Sequence, residues 1–448
     1  MSSIFGTDGI RGAFGTPPID ADTVTRVGWA LGDGLRRATD GRPALVVLGG
    51  DTRDSTPEVS SWVETGLVAA GAEVANAGVV PTPAVAALVV DLGADAGVSI
   101  SASHNPWHDN GVKLFDALGF KWSQEDERRL EARLGEAPEA PSLADEGTST
   151  PEPALGERYL ARLLGTLPSA QALAGLRVAI DAANGAASPW ARRLFEAAGA
   201  HVESFHDRPD GVNINVGCGS TAAGEIARLV RETGSDLGVA FDGDADRCMV
   251  ADETGRVLDG DAILFLLARA RKSTGSLDPA TVVVTQMSNL GLDAALGREG
   301  IEVVRCGIGD REVVEEMRRR GVRLGGEQSG HLVNLDLSSS GDGLLSALQV
   351  ATLVAASEAP LSRLAAPFET FPQTLHNVAV RRKESFDDIP GLPELLSTIR
   401  GRLGDEGRVL LRYSGTEPLA RIMIEGRDEA TIESMASQIA ATLERHLS

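Results

Sequence analysis

Apolar and polar positions follow one pattern three times along the chain. An apolar run enters a polar loop at residues 44–53 (ALVVLGGDTR), 177–186 (RVAIDAANGA) and 281–290 (TVVVTQMSNL). Each run leads into a helical stretch and then a glycine-led second apolar run, at Gly71-Ala-Glu-Val, Gly199-Ala-His-Val and Gly300-Ile-Glu-Val. A third follows, prefaced by glycines four apart at Gly93 and Gly97, Gly234 and Gly238, and Gly321 and Gly325. Strand, helix, strand, helix, strand is the order of an α/β unit with parallel pairing. Three such units predict three similar α/β domains. Their third strands run into the chain's three most unusual loops: Ser101-Ala-Ser-His-Asn-Pro106, Asp242-Gly-Asp-Ala-Asp-Arg247 and Gly326-Glu-Gln-Ser-Gly-His331. Ligands of open α/β sheets gather at the carboxyl ends of strands, so these loops are expected to face a shared central cleft.

The pattern changes after Pro372. A strand over 375–380, a helix over 392–403 and strands over 409–413 and 420–425 precede a last helix with Ile432, Met435, Ala436, Ile439 and Leu443 on one face. This predicts a smaller C-terminal α+β domain. Residues 136–153, rich in Pro, Ala, Glu and Ser, read as a boundary loop. The expected domains are 1–153, 154–255, 256–370 and 371–448.

With 448 residues, the chain is too long for one core, which agrees with several domains. No apolar run reaches membrane-span length and the first residues lack signal-peptide character, so a cytoplasmic protein is expected. Cys218, Cys248 and Cys306 lack metal-site spacing and read as reduced thiols near strand ends. A net charge of −22 excludes nucleic acid and anionic membranes as partners. Any phosphorylated ligand must therefore meet positive charge gathered locally.

The three loops carry such chemistry. Alternate aspartates at Asp242, Asp244 and Asp246 after an apolar strand converge hard oxygen ligands suited to Mg²⁺ or Ca²⁺. An EF-hand is excluded, because its sixth position wants Gly and here is Arg247. In Ser103-His104-Asn105-Pro106 the Asn-Pro step favours a turn that presents the serine. No Gly-x-Ser-x-Gly elbow marks a hydrolase. A phosphoserine beside three aspartates would need a bridging metal. Arg412-Tyr-Ser-Gly-Thr-Glu-Pro418, with Arg421 beyond it, offers two guanidiniums, two hydroxyls and free N–H groups as a phosphate cradle. Glu327, Ser329 and His331 alternate and suit sugar hydroxyls and proton transfer. Thr7 and Arg11 sit in a glycine-rich loop fit for an anion. No Walker motif indicates a nucleotide.

Taken together, the chain resembles the α-D-phosphohexomutase superfamily, over essentially its whole length. The resemblance runs in order through Phe5–Gly12, Ser101–Pro106, Asp181–Ala186, Cys218–Thr221, Asp242–Arg247, Gly309–Arg311, Gly326–His331 and Arg412–Pro418. It implies four domains around a deep cleft, with Ser103 phosphorylated in the active enzyme and also facing the metal. It implies Mg²⁺ on Asp242, Asp244 and Asp246, with Arg247 beside them. Glu327, Ser329 and His331 match the sugar-recognition loop, and Arg412, Ser414, Gly415, Thr416 and Arg421 the phosphate-binding loop. Arg11, Lys113 and His104 fall on the family's reactive-centre positions, and Thr7 on its N-terminal binding loop.

Gln328, Cys218-Gly-Ser-Thr and Gly309-Asp-Arg resemble the amino-sugar branch more than the phosphomannomutase/phosphoglucomutase branch, the alternative within the superfamily. The implied reaction converts glucosamine 6-phosphate to glucosamine 1-phosphate through a phosphoserine enzyme and a 1,6-bisphosphate, feeding UDP-N-acetylglucosamine and cell-wall synthesis. Initial phosphorylation of Ser103 would come from a sugar 1,6-bisphosphate or a kinase. A small phosphosugar is the expected partner, with a homodimer as the assembly. A phosphatase using Asp242 as nucleophile leaves Ser103 and the Arg412 loop unexplained, and a non-enzymatic phosphosugar sensor leaves the reactive groups without purpose.

Overall fold

The computed structural model describes residues 3–6, 8–39, 42–137, 147–414 and 418–447. It divides into two compact units, residues 1–287 with 300–366, and residues 288–299 with 367–448.

Three sheets build the first unit. The first contains β1 (Ile10–Ala13), β2 (Leu45–Gly50), β3 (Glu73–Val79), β4 (Ala96–Ile100), β5 (Asp109–Asp116) and β6 (Thr148–Pro151), in the order β1-β5-β4-β2-β3-β6. The second contains β7 (Arg177–Asp181), β8 (His201–Phe205), β9 (Leu237–Phe241), β10 (Cys248–Asp252) and β11 (Val257–Leu258), in the order β11-β10-β9-β7-β8. The third contains β12 (Thr281–Thr285), β13 (Glu302–Cys306), β14 (Leu324–Gly326) and β15 (Leu332–Asn334), in the order β13-β12-β14-β15.

Each sheet repeats one arrangement: second strand, first strand, third strand, then an antiparallel fourth. The first three pair in parallel. The fourth folds back on the third. The three similar α/β domains expected from the repeat are present. What the repeat did not show is the fourth strand, which makes each of the three unusual loops a hairpin connection. Residues 136–153 also differ from a plain loop: Thr148–Pro151 pairs in parallel with β3. Its side chains are exposed, so backbone pairing at the sheet edge, and not apolar alternation, creates this strand.

The second unit holds β16 (Gln373–Ala379), β17 (Gly407–Tyr413) and β18 (Leu419–Gly426) in the order β16-β18-β17, antiparallel throughout. Helices Leu392–Leu403 and Glu429–Leu447 cover it, and Ile432, Met435, Ala436, Ile439 and Leu443 are all in its core. The helix Leu290–Arg298 also belongs to this unit. All three cysteines are free. Cys248 opens β10 and Cys306 ends β13, whereas Cys218 lies in a loop and not at a strand end.

Side-chain caps set helix starts close to the functional loops. Asp342 accepts from the Leu345 N–H at 2.9 Å to open the helix Gly343–Ala356 and takes the Tyr159 hydroxyl at 2.9 Å. Burial pushes its carboxyl up to about 6, against the pull of these hydrogen bonds. A carboxyl whose folded pKa lies above the ordinary 3.8 favours folding below that value and loses the contribution as pH rises through about 6. A shift of about two units corresponds to about 3 kcal/mol. Asp342→Asn keeps a good cap without the charge, so its stability relative to wild type should be more favourable at pH 7.5 than at pH 4 by about that amount. Urea unfolding at the two pH values checks this, and a pH-independent difference would mean Asp342 is not the titrating group.

Candidate active site

The serine hairpin, between β4 and β5, is built around a buried guanidinium. Arg53, fully buried, forms a salt bridge with Asp51 at 2.9 Å. Its remaining N–H groups donate to the carbonyls of Ser103 and Asn105 (both 2.9 Å), Asp109 (3.0 Å) and Pro106. Asp51 also accepts from the hydroxyls of Ser101 and Thr56. This bonding bends the loop so that Ser103 adopts φ 52°, a left-handed backbone unusual for a residue with a side chain. Arg53→Met would leave Asp51 buried without its cation and take one donor from each of four carbonyls. A loss of about 3–5 kcal/mol is expected, read as a lowered denaturation midpoint. An unchanged midpoint would show that solvent replaces the guanidinium.

Ser103 is wholly buried and donates its hydroxyl to Asp242 Oδ2 at 2.6 Å. His104 Nδ1 lies 3.3 Å from the same Oγ. Burial lowers the His104 pKa, and the positive charges of Arg247 and Arg11 add to this, so the ring is neutral near pH 7. The close approach of the two hairpins needs a glycine in the second: a Cβ on Gly243 would stand 2.5 Å from the Ser103 carbonyl oxygen.

Asp242, Asp244 and Asp246 leave β9 and turn toward one point, with one carboxylate oxygen from each within 4.8 Å of the others. All three are buried. Among the described residues, Asp244 Oδ1 and Asp246 Oδ1 have no hydrogen-bond partner, which is costly for buried carboxylate oxygens unless a cation meets them. Three converging hard oxygen donors, two of them with an unpartnered oxygen among the described residues, fit a divalent ion such as Mg²⁺. Burial, followed by the charges of Asp246 and Asp244, pushes the Asp242 carboxyl well above its ordinary range. Asp246 is held well below its range, because Lys113 and His331 outweigh burial.

Lys113 reaches in from β5, antiparallel to β4, with its side chain 1% exposed. Its ammonium lies 2.7 Å from Asp244, 3.2 Å from Asp246 and 3.4 Å from Asp8. Burial alone would lower its pKa, yet these carboxylates raise it strongly. Asp8 pairs with Arg11 of β1 and with Lys121, which also pairs with Asp310. His331 lies between Asp246 (3.6 Å) and Asp310 (3.5 Å), and these acids raise its pKa although burial opposes them. Arg247 donates its backbone N–H to Asp242 at 3.2 Å and places its guanidinium 3.7 Å from Asp246.

Glu327 and Ser329 occupy the third hairpin. Burial raises the Glu327 pKa, and the Ser329 hydroxyl has no hydrogen-bond partner among the described residues. In the second unit, Arg412 and Arg421 are cross-strand partners on β17 and β18, and the Ser414 N–H donates to the Leu419 carbonyl at 2.8 Å. Lys383 donates to the Ser414 carbonyl at 2.6 Å, a third cation beside this loop. Thr7, Gly415 and Thr416 lie outside the described residues.

The structure thus brings Ser103, His104, Lys113, Arg11, the three aspartates, Arg247 and His331 into one cluster in the first unit. Asp8 and Asp310, which lie inside the Phe5–Gly12 and Gly309–Arg311 motifs but were given no role there, join it, as do Arg53 and Lys121. One signal was available: Lys113 and Lys121 are two of only four lysines in an arginine-rich chain.

The four models of the phosphoglucomutase/phosphomannomutase family match in order. The alpha/beta/alpha domains I, II and III match residues 2–140, 157–255 and 259–371, and the C-terminal domain matches 375–442. The phosphoglucosamine mutase of Syntrophotalea carbinolica is 42% identical over 447 residues, spanning 99% of this chain and 98% of that protein. That of Saccharopolyspora erythraea is 44% identical over 440 residues, 98% of each. Among solved structures, a phosphoglucomutase/phosphomannomutase family protein from Burkholderia thailandensis superposes with a TM-score of 0.81 at 25% identity, covering 99% and 97% of the two chains. The Aspergillus fumigatus N-acetylphosphoglucosamine mutase, in complex with GlcNAc-6P and magnesium, shares the fold with a TM-score of 0.63 at 18% identity, covering 99% and 96%. With relatives this similar over its full length, and with three hairpins meeting as described, the chain belongs to the phosphoglucosamine mutase family of phosphohexomutases, which are isomerases acting by intramolecular phosphoryl transfer.

Proposed function

We propose that the chain interconverts glucosamine 6-phosphate and glucosamine 1-phosphate with Ser103 as the phosphoryl carrier. The observation that carries this is the buried Ser103 hydroxyl, 2.6 Å from Asp242 in a left-handed turn beside the Asp244–Lys113–Asp246 cluster. In the forward step the C1 hydroxyl oxygen attacks the phosphorus of phospho-Ser103, the bond to Oγ breaks, and the sugar's proton passes to the serine oxygen. The 1,6-bisphosphate turns over, the Ser103 hydroxyl oxygen attacks its 6-phosphorus, the bond to the sugar O6 breaks, and glucosamine 1-phosphate leaves with a proton on O6, so that phospho-Ser103 is restored. The serine proton then has two acceptors in reach, the Asp242 carboxylate at 2.6 Å and the neutral His104 imidazole at 3.3 Å. Arg11, Lys113 and Arg247 supply fixed positive charge around the transferring group, where in-line transfer needs positioning and neutralisation. His331, whose pKa Asp246 and Asp310 raise against burial, is the group that moves a proton to or from the substrate.

Asp242, Asp244 and Asp246 would hold Mg²⁺, with Ser103 facing it; the ion supplies charge neutralisation at the phosphoryl oxygens. Thr7, Glu327 and Ser329 are assigned to sugar binding. Arg412, Ser414, Gly415, Thr416 and Arg421 are assigned to the phosphate that is not reacting. In this reading the domains run over 1–153, 154–255, 256–370 and 371–448, and a sugar 1,6-bisphosphate or a kinase first loads Ser103. The enzyme works as a cytoplasmic homodimer on the route to UDP-N-acetylglucosamine. Among the described residues no helix is long and apolar enough to cross a membrane.

Turnover of glucosamine, glucose and mannose 6-phosphates, with mass spectrometry of the purified protein, tests the reading. Phosphate on Ser103 and fastest turnover of the amino sugar are expected. A preference for glucose or mannose phosphate would move the chain to the other branch. Chelation should abolish turnover and Mg²⁺ restore it, because carboxylates facing a phosphoserine repel it without a cation. Full activity with the metal shown to be absent would remove the metal from the reading.

A further inference from the structure

The non-glycine residues with positive φ among those described are Ser103, Ala183, Asn184, His206, Asn215 and Ala245, and they form one junction. Asn215 N–H donates to the Ala183 carbonyl at 2.9 Å, and Asn184 N–H to that of His206 at 2.6 Å. The Thr52 hydroxyl, next to Arg53, donates to the Asn184 carbonyl at 2.5 Å. Ala245 lies in the aspartate hairpin and its N–H donates to the Asp242 carbonyl. Unfavourable backbone confined to one place is kept only when its surroundings over-determine it, and such places are concentrated at functional sites.

Besides the Ser103 hydroxyl bond to Asp242, one side chain from the second sheet's domain holds the peptide of the serine hairpin. Asn215 Nδ2 donates to the carbonyl of Ser103 at 2.9 Å and also lies 3.4 Å from that of Asn105. Its own Oδ1 is buried and has no hydrogen-bond partner among the described residues, so the amide is held by what it donates. Arg53 grips the same Ser103 carbonyl, but Arg53 follows β2 of the same sheet. It shapes the hairpin without fixing it against the aspartates. Asn215 comes from the second sheet's domain, which also carries the aspartate hairpin. Its amide therefore sets the serine hydroxyl in register with Asp242.

We propose that Asn215 is a positioning residue for phosphoryl transfer, holding the Ser103 peptide so that Oγ stays aligned with the carboxylate cluster. The proposal rests on the reading of Ser103 as the phosphoryl carrier. It makes the side-chain donor essential and the backbone incidental, and these separate by substitution. Asn215→Gly keeps the left-handed backbone at no steric cost and removes the amide. Asn215→Asp keeps the shape but cannot donate.

Both variants should lower kcat about 10- to 100-fold, the effect of a small misplacement of a reacting group, with KM for glucosamine 6-phosphate within about twofold of wild type. Asn215→Gln, which can still donate, should recover part of the loss. Wild-type kcat in Asn215→Gly would show that only the backbone matters and overturn the proposal. A raised KM at unchanged kcat would overturn it too, by placing Asn215 in substrate binding. So would a lowered melting temperature with full activity per folded molecule, by making its role structural. Wild-type protein assayed alongside separates the two levels: no phosphate on Ser103 would end the parent reading, whereas phosphorylated wild type with fully active Asn215→Gly would end this inference alone.

Discussion

Ser103→Ala should lose phosphoryl transfer almost entirely while remaining folded. Nucleophile removal in enzymes that work through a covalent intermediate costs about 10⁴-fold or more, because no other group carries the transferred moiety. The left-handed backbone is no obstacle to alanine here, since Ala183 and Ala245 both adopt φ 55° in the same junction. Arg53 and Asn215 hold the residue through its carbonyl, which the substitution keeps. What is lost is the 2.6 Å hydrogen bond to Asp242, and a buried acceptor left short of one donor costs about 1–3 kcal/mol. The expected result is a modest fall in melting temperature, no phosphate in the intact-protein mass, and no measurable turnover. Residual turnover above about one per cent, a loss of under about 2.7 kcal/mol in barrier, would show that Ser103 is not the carrier.

Lys113→Met should be damaging in a different way. Its ammonium, 1% exposed, answers Asp244, Asp246 and Asp8 at once. Methionine fills a similar volume, so the packing loss is small and the electrostatic loss dominates. Removing one partner of a buried ion cluster costs about 3–5 kcal/mol, because the remaining charges stay desolvated. Both stability and turnover should fall. A divalent cation on the aspartates would return part of the missing positive charge, so Mg²⁺ should raise the melting temperature of Lys113→Met more than that of wild type. Thermal unfolding of both proteins in chelator and in Mg²⁺ makes the comparison. Equal stability of the two in chelator would mean that Lys113 does not compensate these acids.

The local pattern of the chain was enough to place the three repeated units, the polar loops that follow their third strands, and the C-terminal helices. Leu392–Leu403 and the buried face of Glu429–Leu447 follow from spacing alone. Such features are legible because each element carries its own burial in its own periodicity. The candidate residues of the aspartate and serine hairpins were legible for a related reason. Short polar motifs directly after apolar runs have little structural purpose of their own.

Tertiary structure decided what depends on partners distant in sequence. The strand Thr148–Pro151 has no apolar alternation and exists because β3 offers it an edge. Lys113 looked like one cation after a turn; only the antiparallel return of β5 brings it 131 residues back to Asp244. Arg53, Asp8, Lys121, Asp310 and Asn215 resemble ordinary surface or turn residues until the sheets meet. Burying a charge or an amide is unfavourable unless its complement arrives from elsewhere. Local patterning therefore dictates which elements form and where the chemistry-bearing loops lie along them. Which charges neutralise one another, and which side chains aim the serine, was settled only when three sheets brought their hairpins together, because Coulomb and hydrogen-bond partners are chosen by distance in space and not along the chain.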